Sequence, residues 1–215
     1  LAPLEESDPE ALVDRRTQVR RGRLLEYLTL GWNLIEAVVA IGAGLAAGSS
    51  ALIGFGLDSV IESSSGAVLL WRLRAGEEGE RRDVRALRVG GGGYPMLAGY
   101  VAFEAGGALW RREAPEESLV GVVLAAVSLV VMPILARAKR SVAADLGSAA
   151  LEADSRQTDL CAVLSAILLG GLLLNALVGW WWADPVAALA MVPVIAAEGV
   201  RALRGERCDD CAPVD

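Results

Sequence analysis

The chain has 215 residues, 54% of them hydrophobic, with a mean hydropathy of +0.44, a formal net charge of −7 and no histidine. That balance, with the apolar residues gathered into long runs, excludes an ordinary soluble domain. The acidic charge gives no reason to expect nucleic-acid binding, and three cysteines are too few for a disulfide framework.

In chain order, residues 1–23 are polar and of mixed charge, without the pattern of a secretory leader. The segment Ser7-Asp8-Pro9-Glu10 reads as a helix start, with a Ser or Asp cap and proline in the first turn. Residues 9–23 therefore read as a short amphipathic or extended lead. Six apolar runs follow: Leu28–Ala47, Ala51–Trp71, Val89–Trp110, Leu119–Ala136, Leu160–Trp182 and Pro185–Leu203. Each supplies about the 20 helical residues that cross a hydrocarbon core of about 30 Å. The fourth holds no charge, and the sixth is interrupted by Glu198 near its end. Barrel strands would alternate over about 10 residues, whereas these runs are continuous. The expected fold is an all-α integral membrane protein, a six-transmembrane-helix bundle over residues 24–204, with a short tail at 205–215.

Arginine and lysine set the orientation. Eighteen of the 20 lie in the N-terminal segment, in the connections after the second and fourth runs, or in the C-terminal tail; only Arg111 and Arg112 lie on the other side. Both termini are thus expected in the cytoplasm. The tryptophans suit interfacial belts, with Trp71 at the inner side and Trp110 and Trp180–Trp182 at the outer side. Only Trp32 lies deep.

Several acids lie inside these runs, at a cost of about 2.5–3.5 kcal/mol each on insertion scales. The second run, "ALIGFGLDSVIESSSGAVLLW", carries Asp58 and Glu62, spaced i,i+4 and so on one helix face. Glu36 stands in the first run with Asn33 a turn before it, Glu104 in the third, and Asp159 opens the fifth after Asp154 and Ser155. Ser155 and Asp159 are again i,i+4. No basic residue lies within the first four runs to neutralise these acids. Two helices, each offering a pair of oxygen donors at one level, would build a cation site from Asp58, Glu62, Ser155 and Asp159. Asp154 is a further candidate, although its offset of five residues turns it about 140° from Asp159.

These residues carry a family resemblance. "GFGLDSVIESSSG" resembles the second span of the cation diffusion facilitators, where Asp-x-x-x-Asp or His-x-x-x-Asp binds metal, and so aligns Asp58 and Glu62 with the ligand pair. "EADSRQTDLC" resembles the fifth-span motif, written His-x-x-x-Asp within Ala-Asp-x-x-His-x-x-Ser-Asp, and is aligned so that Ser155 and Asp159 stand for its ligands. "WWADP" at 181–185 is similar to the family's entry to the sixth span, and "FEAGGALW" at 103–110 to the end of its third, with Glu104 at an acidic position. The likeness runs over about residues 24–204. It implies a transporter rather than an enzyme, a divalent cation as substrate with no organic cofactor, and a homodimer in the cell membrane. The family's large cytosolic domain has no counterpart in the residues after the sixth span, which end in "CDDCAPVD".

The implied activity is efflux of a divalent cation, zinc foremost with manganese, iron or cobalt next, in exchange for protons through a carboxylate site between helices 2 and 5. Asn33, Glu36 and Glu104 would line the pathway, and Cys208 and Cys211 would offer at most weak cytoplasmic metal capture. Two other readings stay open. One is a transport-inactive structural or regulatory membrane protein; the other is a proton-coupled carrier of small organic cations.

Overall fold

The computed structural model describes residues 9–75 and 93–204, and these form six α-helices with no strand among them. The helices are α1 (Pro9–Ala47), α2 (Ser50–Ala75), α3 (Gly93–Arg111), α4 (Leu119–Leu146), α5 (Ala149–Val178) and α6 (Ala183–Arg204). Five of them, all but α3, are long and apolar enough to cross a membrane. α3 is the shortest of the six and carries Tyr94, Tyr100, Glu104 and four glycines, and the first residues of its apolar run lie outside the described residues. The protein is an all-α membrane protein built as a six-helix bundle.

Polarity runs outside-in. Leu28, Leu34, Val38 and Leu45 of α1, and Val123, Val127, Val130 and Ile134 of α4, face outward. Inside, α1 buries Glu26, Thr29, Asn33 and Glu36 at spacings of three and four, a polar stripe along one helix face. In water this arrangement would expose the wrong side chains. In lipid it hides the costly ones among partners and covers the surface with hydrocarbon.

The helices extend beyond the apolar runs. α1 is continuous from Pro9, so the expected lead at 9–23 is part of the first helix; residues 10–30 contain no proline and a single glycine, Gly22. α4 continues ten residues past Ala136 to Leu146, and α5 begins at Ala149 rather than Leu160. Hydropathy marks where a helix leaves the hydrocarbon, not where its hydrogen bonding stops. Between α4 and α5 the chain turns in two residues. Gly147 closes α4 at φ 61°, a left-handed conformation glycine adopts without strain, and the Ser148 hydroxyl accepts from Leu151 N at 3.4 Å to start α5.

Two hairpins, α1/α2 and α4/α5, pack side by side, α1 on α4 and α2 on α5; α3 and α6 pair with one another and lie against α2 and α5. Close approach depends on small residues. A Cβ at Gly56 would fall 2.7 Å from Ile41 Cγ1, and one at Gly171 would fall 2.5 Å from Ala187 Cβ and 3.2 Å from Ala183 O. Gly171→Ala will therefore force α5 from α6, lowering stability by about 1–3 kcal/mol as overpacking does. Thermal unfolding in mild detergent checks this; a melting temperature equal to wild type would show that the interface yields freely. Where α2 and α6 begin, Ser49 Oγ donates to Asp184 Oδ2, and Asp184 Oδ1 accepts from Ala51 N at 3.4 Å. The starts of α2 and α6 are thereby held at one level.

Candidate metal centre

Asp58 and Glu62 lie one turn apart on the buried face of α2, 5% and 3% exposed. Opposite them α5 presents Cys161, fully buried. One ligand atom from each of the three residues lies within 4.8 Å of the other two. One oxygen of Glu62, Oε1, accepts from Thr158 Oγ1 at 3.2 Å, while Oε2 is buried without a hydrogen-bond partner. Asp58 has no hydrogen-bond or ion-pair partner among the described residues. Two buried carboxylates facing one another, one with an unsatisfied oxygen, are a poor arrangement by themselves and a good one around a cation.

Behind Cys161 stands Glu36 of α1. Its carboxylate accepts from Trp32 Nε1 at 2.7 Å, from Ser59 Oγ at 3.1 Å and from Ser128 Oγ, and lies 3.7 Å from Cys161 Sγ. One acid thus ties α1, α2, α4 and α5 together at the level of the cluster. Asn33 is fully buried a turn before it, and neither atom of its amide has a hydrogen-bond partner among the described residues. Glu104 is half-buried on α3, within the electrostatic reach of Arg111, and is not part of the three-residue cluster.

The ligands foreseen on α5 are placed differently. Asp159 is half-exposed and pairs with Arg140. Ser155 is buried, but its hydroxyl donates to Glu152 O at 2.7 Å, within its own helix. Asp154 faces inward and pairs with Lys139, which lies 3.2 Å from Glu26 Oε1 as well. The inward face of α5 therefore runs Asp154, Thr158, Cys161, Ser165, and Asp159 turns away from it. No basic residue lies within the first four apolar runs, but Lys139, three residues past the fourth, supplies the acids with a cation that the runs do not show. It belongs to the C-terminal extension of α4 and is completely buried. Its ammonium donates to Thr158 Oγ1 at 3.4 Å, which links it to Glu62 through one hydroxyl. Cys208 and Cys211 lie outside the described residues.

Gln157 is one turn before Cys161. Its Nε2 donates to Tyr94 OH and its Oε1 accepts from Ser65 Oγ at 3.0 Å. With Asp58, Tyr94 and Glu198 it lines a cleft between α2 and α5 on one side and α3 and α6 on the other.

Fold and site define a polytopic helical membrane protein whose interior holds a cluster of candidate cation ligands between two helices. Residues 89–206, more than half of the chain, match the cation efflux transmembrane domain, and the chain belongs to that family, the cation diffusion facilitators, which transport metal cations. No curated protein matches the chain. The matched region holds α3 to α6 and so includes Cys161 but not Asp58 or Glu62. Counted from its own Ala-Asp start at Ala153-Asp154, the fifth-span pattern quoted above puts its two ligand places at Gln157 and Cys161, two residues later than Ser155 and Asp159. These two residues are what sequence reasoning missed.

Proposed function

We propose that the protein exports a divalent cation, zinc foremost, across the cell membrane in exchange for protons. The cation binds between Asp58 and Glu62 of α2 and Cys161 of α5, with Gln157 as the neutral fourth donor. The observation that carries this reading is the meeting of three buried ligand atoms within 4.8 Å, one beside an orphaned carboxylate oxygen. The thiol shifts the choice of metal. Oxygen donors alone suit manganese or magnesium, but a thiolate favours softer ions, and zinc accepts carboxylate oxygens at about 2.0–2.2 Å and sulfur at about 2.3 Å. Iron and cobalt follow; manganese falls behind. Glu36 and Asn33 act from behind the ligands. Glu36 fixes Cys161, and the unsatisfied Asn33 amide offers a polar contact along α1.

Proton exchange follows from the ligand chemistry. A metal binds ionised carboxylate and thiolate, so protons compete for the same atoms. Loading releases protons to the cytoplasm, and external protons displace the ion once the site faces outward, with one helix group rocking against the other. The α1/α2/α4/α5 bundle and the α3/α6 pair are the two bodies suited to that motion. Metal affinity is expected to fall as pH is lowered, which calorimetry on purified protein at two pH values reads. Uptake of zinc into proteoliposomes under an imposed pH gradient tests the whole reading. Transport that rises with the gradient supports it. No metal uptake under any gradient would leave a structural role or an organic-cation carrier.

A homodimer belongs to the same proposal. Of the glycines that could bring two copies together, Gly93 is covered by Ile61 and Gly107 by its own Arg111, while Gly106 faces open space on a lipid-facing side with Phe103 and Trp110. A mass measurement in mild detergent checks it, and a monomer would count against it.

A further inference from the structure

Two sides of the metal centre differ in character. Toward the arginine-rich end of the four-helix bundle, Lys139 closes the interior. It is fully buried between Glu26 and Asp154, and reaches Glu62 only through the Thr158 hydroxyl. This buried ion-paired group fills the interior on that side. Toward α3 and α6, a small cleft lined by Asp58, Tyr94, Gln157 and Glu198 lies beside the centre. Asp58, 5% exposed and without a hydrogen-bond or ion-pair partner among the described residues, lines that cleft as well as the centre.

Glu198 is the acid that the centre leaves unused. It interrupts the apolar run of α6, its side chain is 17% exposed, and among the described residues it makes a loose contact of 3.7 Å with Arg201 and lies within the electrostatic reach of Arg156. Its level follows from helix geometry. The Ser49–Asp184 hydrogen bond aligns the starts of α2 and α6. At 1.5 Å per residue Asp58 then lies about 12 Å along α2 and Glu198 about 22 Å along α6, so Glu198 stands nearer the cytoplasmic side by about 10 Å.

We infer that Glu198 is the entry residue: it captures the divalent cation at the cytoplasmic mouth of the cleft and hands it to Asp58, while Lys139 bars the route through the bundle. The inference rests on the metal centre proposed above. Entry on α6 also couples capture to the moving pair, since Glu198 and Asp58 belong to different helix groups.

The test uses the full chain in proteoliposomes, with zinc presented to the cytoplasmic face. Glu198→Gln is expected to raise KM for zinc about tenfold, the scale of electrostatic capture, with kcat within about twofold of wild type. Equilibrium binding should remain one ion per chain, because Asp58, Glu62 and Cys161 are untouched. Added salt should raise the KM of wild type and leave that of Glu198→Gln unmoved, since screening acts on the charge alone. Glu198→Asp should restore most of the loss. Asp58→Asn is measured alongside and is expected to lose the ion. An unchanged KM in Glu198→Gln, with the ion lost in Asp58→Asn, overturns the entry role alone. An ion retained by Asp58→Asn overturns the centre, and the entry role with it.

Discussion

Asp58→Asn and Glu62→Gln will each lower metal transport by at least about 100-fold, more than the 10–100-fold typical of changes one layer removed from a metal. Both exchanges keep the shape of the side chain and remove the charge that holds the cation. Neither should unfold the protein. Asp58 has no partner to lose among the described residues, and Glu62 keeps an oxygen for the Thr158 hydroxyl. Removing one of two facing acids also relieves repulsion in the empty site, so melting temperatures should hold or rise. Asp159→Asn is the contrast. Its carboxylate pairs with Arg140 at a half-exposed position, and exposed pairs contribute about 0–1 kcal/mol. It should transport close to wild type. Initial rates of zinc uptake into proteoliposomes read all three variants. Loss of transport in Asp159→Asn together with normal transport in Asp58→Asn would move the site off the cluster.

Lys139→Ala should be the most destabilising single change in the interior. The ammonium is fully buried, bonded to Asp154 and 3.2 Å from Glu26. Removing it leaves two acids facing each other with no counter-charge, a loss of about 3–5 kcal/mol for a broken buried pair. Lys139→Met fills the space but not the charge and should be nearly as harmful. Adding Glu26→Gln and Asp154→Asn to Lys139→Met removes the stranded charges and should recover much of the stability. Thermal unfolding in detergent measures each step. A single Lys139→Met variant that melts with wild type would show that the network contributes nothing to the fold.

Much of this architecture was legible in the sequence because lipid leaves few choices. Six apolar runs between arginine-rich segments imply a helical bundle, and two acids a turn apart in the second run mark a polar interior. The acids of α2 share the one helix face that i,i+4 spacing dictates, and Asn33 and Glu36 are buried a turn apart on α1. What stayed hidden was the rotation of α5. Asp159 drew notice as a charge at the edge of an apolar run, yet Cys161 sits two residues on, about 200° around the helix. The signal was present in Asp154, Thr158, Cys161 and Ser165, polar residues at successive spacings of four, three and four that trace one face. A thiol counted as a small apolar residue breaks that trace. Lys139 was missed for another reason. The fourth apolar run ends at Ala136, and the helix carries the lysine one turn further, where it bends back among acids brought by α1 and α5. Only tertiary packing shows that a cation beyond the apolar run lies in the interior.

That a divalent ion is held by two carboxylates from α2 and a thiolate from α5 is tested most directly by X-ray absorption at the zinc edge. The protein should carry Cys208→Ser and Cys211→Ser so that the tail cannot contribute sulfur. One sulfur neighbour at about 2.3 Å beside oxygen or nitrogen neighbours at about 2.0–2.2 Å is expected, and the sulfur should vanish on adding Cys161→Ser. A shell of oxygen and nitrogen alone in the protein that retains Cys161 would contradict the centre described here.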